Sequence, residues 1–67
     1  MKLYTITTEE LNTMTLADIN TIIDTIESDG EMEHAIQNPQ FFSEVENAIV
    51  THNLCVLRGL YLLKEAK

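Results

Sequence analysis

Apolar residues recur at helical spacing along most of this chain. Leu16, Ile19, Ile22, Ile23 and Ile26 fall on one side of a helix while Asp18, Thr21, Thr25 and Glu27 largely take the other, which predicts an amphipathic helix over 15–28. Its start is written in the local grammar: Thr15 followed by Asp18 is a capping box, and Met14 with Ile19 has the spacing of a hydrophobic staple. The same grammar occurs eight residues earlier, where Thr7 with Glu10 and Ile6 with Leu11 predict a short helix over 7–14. Two capped helix starts explain this likeness better than a repeat architecture. Before it, residues 1–6 have a faint strand character with Tyr4 and Ile6 on one side. No second strand candidate exists, so they are expected to form an extended arm that packs its apolar side chains or pairs between two copies.

Beyond Ser28 the signals shorten. Gly30 supplies a left-handed stop, or Ser28 with Glu31 opens a fresh capping box, and Met32, Ala35 and Ile36 make one apolar face for a short helix or turn over 31–37. Asn38-Pro39 is the strongest boundary, because Asn caps well and Pro at the first helical position lacks an amide that would be unpaired anyway. A long helix over 39–66 follows, with Glu44 and Glu46 near its start and Lys64 and Lys67 at its end complementing the helix dipole.

Along that helix Phe42, Val45, Ile49, His52, Val56, Gly59 and Leu63 follow alternating three- and four-residue steps, the seam pattern of packed helices. Its second half carries more than one seam can use. Leu54, Cys55, Val56, Leu57, Leu60, Tyr61, Leu62 and Leu63 point in nearly every direction, and a helix apolar all round is buried all round. The short preceding helices can cover two sides, so a remaining stripe should face a second copy or another protein. Phe42, Val45, Ile49, Val56, Leu60 and Leu63 are the candidate residues for that interface.

Size sharpens the same expectation. A chain of 67 residues buries about 60% of the surface its unfolded form exposes. Its single cysteine, Cys55, cannot close an internal disulfide, which leaves metal or self-association as a staple. With 45% apolar and 22% charged residues the chain is composed like a folded domain. The fold class expected is all-α: a single domain over 1–67, a small helical bundle or helical hairpin with one long C-terminal helix, completed by homodimerisation.

Eleven acidic residues against four basic ones give a formal charge of −7. Phosphate contacts need clustered Lys and Arg, so direct nucleic-acid binding is not expected, and anionic membrane surfaces are disfavoured for the same reason. The opening residues lack a secretory signal's apolar core, and Leu54 to Leu63 is about half of the ~20 residues a spanning helix needs, so a cytoplasmic home is expected. Asp24, Glu27, Asp29, Glu31 and Glu33 crowd within ten residues around a helix junction. Such a patch can steer a basic partner or stand in for phosphates; a solvated turn that keeps the chain soluble is the plainer explanation.

Candidate chemistry is sparse. His52 and Cys55 share a helix face, and Glu31, Glu33 and His34 lie close together, but neither group has the spacing of a closed metal site. A nucleophilic Cys55 would need a base and an orienting group in a cleft, and the apolar setting favours an inert, buried thiol. Neither an enzyme nor a cofactor is expected. The expected function is a non-catalytic protein–protein interaction module, a small regulator or inhibitor of a larger protein, in a format common among phage and mobile-element inhibitors. An acidic nucleic-acid mimic and a structural subunit of a larger assembly are the alternatives.

Overall fold

The computed structural model describes all 67 residues and is all-helical. Helix α1 spans Thr8–Thr13, α2 spans Leu16–Glu27, α3 spans Gly30–Gln37 and α4 spans Glu44–Ala66, with a 3-10 turn at Pro39–Phe41. Both anticipated N-terminal boxes form. Thr7 and Glu10 exchange side-chain-to-backbone bonds at 3.1 Å each, and Thr15 with Asp18 does so at 3.1 and 3.2 Å. The turn between α2 and α3 uses neither anticipated device. Asp29 caps α3 by accepting from the Met32 N–H at 3.2 Å, and Gly30 is the first helical residue, with a negative φ.

The long helix begins at Glu44 rather than Pro39. Asn38 turns its side chain back to the His34 carbonyl at 3.3 Å, so it caps nothing ahead of it, and Pro39 starts only one 3-10 turn. Phe42 is then extended, and Ser43 with Glu46 forms a third capping box at 3.0 and 3.1 Å from which α4 propagates. Those bonds to the Ser43 backbone and side chain hold the Glu46 carboxyl below the usual range. Asn47 Nδ2 clips the turn to the helix by donating to the Pro39 and Phe42 carbonyls at 3.0 and 3.3 Å.

With 23 residues, α4 is about 35 Å long at the helical rise. The molecule's longest dimension is 37 Å, so α4 is its spine. Both α2 and α3 pack against it. The core is Met14, Ile19, Ile23, Ile26, Met32, Ala35, Val50 and Leu60, to which Asn53 adds a fully buried amide. Only these nine residues are buried, because a single layer of short elements covers one side of α4 and leaves the other open.

The N-terminal arm satisfies its backbone through α4 side chains, where a lone strand would need a second strand. The Tyr4 N–H donates to Asn53 Oδ1 at 2.9 Å, and Asn53 Nδ2 donates to the Lys2 carbonyl at 2.9 Å. One amide thus brackets Leu3 as a neighbouring peptide would in a ladder. His52 Nε2 lies 2.9 Å from the Tyr4 carbonyl, which can only accept, so that nitrogen carries the proton. Tyr4 Oη donates to Asp29 at 2.8 Å, joining the arm to the α3 cap. At the other end Lys67 Nζ donates to the Met14 carbonyl at 2.7 Å, which ties the end of α4 to the α1–α2 junction.

Candidate partner-binding groove

The largest concavity lies between the arm with α1 and the C-terminal half of α4, and has a volume of about 720 Å³. Ile6, Leu11, Val56, Leu60, Leu62 and Leu63 make it apolar, and Thr5, Asn12, His52 and Gly59 complete its wall. Local structure places each wall. The capping box starts α1 at Thr8 and so sets Ile6 and Leu11 on the groove, while Asn53 and His52 fix the arm beside Val56. Leu60 is the floor, 1% exposed. Leu62, one wall, is 58% exposed, and Leu11 on the facing wall is also exposed.

The six residues anticipated as one interface divide. Leu60 belongs to the chain's own core and reaches the groove only as its floor. Val56 and Leu63 are half-buried and line the groove. Phe42 lies before the start of α4 and packs edge-on against the His34 ring at 5.5 Å, Ile49 is half-buried, and Val45 stands exposed towards the opposite end of the helix. The missed apolar members are Ile6, Leu11 and Leu62, while His52 and Gly59 stood on the anticipated seam but outside the six. A second set of three- and four-residue steps, running through His52, Cys55, Gly59 and Leu62, is the signal that marks the open face.

The acidic cluster is largely engaged within the chain. Glu27 accepts from Tyr61 Oη at 2.6 Å, Asp29 accepts from Tyr4 Oη and the Met32 N–H, and Glu31 pairs with the N-terminal ammonium at 3.3 Å. Asp24 and Glu33 are exposed and make no side-chain hydrogen bond. The Tyr4 bond, and then that from Met32, hold the Asp29 carboxyl below its ordinary value. Burial and then the Asp29 bond push the Tyr4 hydroxyl up, and the Glu27 bond first of all raises that of Tyr61. Tyrosines therefore fasten two of the five carboxylates to the arm and to α4.

The reactive side chains do not assemble. Cys55 is exposed rather than buried, because it falls on the open face of α4. His52 is occupied by the arm, and His34 sits between Phe41 and Phe42. No three His, Cys, Asp or Glu side chains converge in a metal-binding group. No helix is long and apolar enough to cross a membrane. No family model matches the chain, and no curated protein or solved structure is significantly similar to it.

Proposed function

We propose that this chain is a non-catalytic protein–protein interaction module, a small regulator or inhibitor that seats part of a larger protein in the groove beside α4. The observation that carries this is the groove itself: a concavity of about 720 Å³, with six apolar residues among the ten that line it and Leu62 standing 58% exposed on its wall. Apolar surface gathered into a concave site is the usual mark of a recognition surface. An apolar stretch of partner, such as one face of an amphipathic helix, fits its chemistry. The reading of the carboxylates as a nucleic-acid mimic is weaker, since Glu27, Asp29 and Glu31 are already held by groups of the chain.

The test is retention of proteins from a lysate of the source cells on the tagged chain and on its Leu62→Asp and Leu11→Asp variants. Both positions are exposed, so the fold should survive the change. A discrete protein retained by the parent chain, lost with both variants and still bound at high salt is the outcome expected of an apolar groove. Equal retention by all three chains would remove the groove from function. Release at modest salt would transfer the role to the carboxylates.

A further inference from the structure

We infer that, in the absence of its larger partner, the groove is covered by a second copy of this chain, with the two α4 helices antiparallel about a two-fold axis passing between Gly59 and Leu62. This rests on the reading of the groove as a protein-binding surface and names its occupant. Gly59 is the first indication. It lies within α4 with a negative φ, and a Cβ built there meets nothing within 4 Å. The chain's own packing therefore has no use for a glycine, which weakens a helix relative to alanine. A hole at this position serves something that approaches from outside.

The same face supplies what would fill it. Cys55, Gly59, Leu62 and Ala66 follow the three- and four-residue steps of a helix seam, and all four are exposed. Antiparallel pairing about the stated axis sets Leu62 of each copy over Gly59 of the other. One patch supplies both knob and hole, as a two-fold interface requires. On the groove flank Val56 of one copy meets Leu63 of the other, extending the apolar contact towards Leu11.

Charge decides the direction. On the opposite flank the antiparallel arrangement brings Arg58 of each copy opposite Glu65 of the other, giving two reciprocal ion pairs. Arg58 is the only arginine, is exposed, and neither it nor Glu65 makes an ion pair within the chain, whose one ion pair joins the N-terminus to Glu31. A parallel pair would set Arg58 against Leu63 and leave both charges without partners. In a molecule of charge −7, local complementarity of this kind is what lets two copies meet.

Size exclusion with light scattering, run from about 1 μM to about 1 mM, reads the association directly, with circular dichroism confirming that each variant keeps its helix. Wild type should move from 7.6 kDa towards twice that mass as concentration rises. Gly59→Leu fills the hole from a Cβ that meets nothing within 4 Å, and should raise the dissociation constant at least about tenfold. Arg58→Glu should raise it about fivefold, and the double swap R58E/E65R should return it to within about twofold of wild type. A mass fixed at 7.6 kDa, a dimer indifferent to Gly59→Leu, or a double swap no better than the single one would each overturn the proposal. A fixed monomer removes this occupant alone. The protein-binding reading falls on a separate result, equal retention of lysate proteins by wild type and Leu62→Asp.

Discussion

Leu60 and Leu62 are two residues apart on one helix, yet the first is 1% exposed and the second 58%. Leu60 meets the core assembled by α2, α3 and the α1–α2 junction, whereas Leu62 looks out over the groove wall beside Gly59. The contrast extends along α4. Its inward face carries Val50, Asn53 and Leu60, all buried, and the outward face carries His52, Cys55, Gly59 and Leu62, all exposed. One face completes the fold and the other remains available. In a chain this small the two cannot be separated by hydrophobicity alone, because both contain leucine.

Large effects should be confined to the inward face. Leu60→Ala should cost about 2–5 kcal/mol, while Leu62→Ala should stay within about 0.5 kcal/mol, in urea unfolding at low micromolar concentration. Since a domain of this size holds only ~3–5 kcal/mol of net stability, the first variant should be substantially unfolded and the second should not. Similar losses at both sites would erase the distinction between the faces.

Next comes the amide that bridges core and arm. Asn53→Ala leaves the Tyr4 N–H and Lys2 carbonyl without partners and should cost about 1–3 kcal/mol, with faster hydrogen exchange at the Tyr4 amide as its local signature. Unchanged exchange at Tyr4 would show that the arm is held by its side chains instead. Gly59→Ala goes the other way: with free space for the methyl group, it should stabilise the dilute chain by about 0.5–1 kcal/mol. A loss there would mean that the helix itself needs the glycine.

The smallest effect is the pH dependence of the arm. Asp29 has a depressed pKa in the folded chain, so its contribution is present above the ordinary carboxylate range and is lost as pH falls through the folded value. Acid should therefore loosen the Tyr4 contact, and Asp29→Asn should flatten stability against pH on that side. At the alkaline end the sign reverses. Tyr4 and Tyr61 have raised values, so what they contribute is present below their ordinary pKa and lost above the folded one. A parallel acid slope in Asp29→Asn and parent would assign it to other carboxylates, Glu46 first among them.

Much of the helical layout was legible because it is written locally. Thr7 with Glu10 and Thr15 with Asp18 place their own helix starts within four residues, and both boxes form. The start of α4 was misplaced because Asn38-Pro39 and Ser43-Glu46 are competing signals five residues apart. Asn38 turns back to the His34 carbonyl, and the reciprocal Ser43–Glu46 bonds take the start. The choice between the faces of α4 was not legible at all, since the steps through Val50, Asn53, Leu57 and Leu60 and those through His52, Cys55, Gly59 and Leu62 are equally regular until α2 and α3 cover the first. Nor was the fate of the carboxylates. The Glu27–Tyr61 and Asp29–Tyr4 bonds join residues 34 and 25 positions apart, beyond any local pattern.

Sedimentation equilibrium of wild type and Leu62→Asp, each paired with a dilute urea titration, addresses the division of α4 most directly. A reversible dimer in wild type, a monomer in the variant and equal unfolding midpoints for the two dilute chains are the results predicted. A variant that loses its fold together with its association would contradict the account, for Leu62 would then belong to the same face as Leu60.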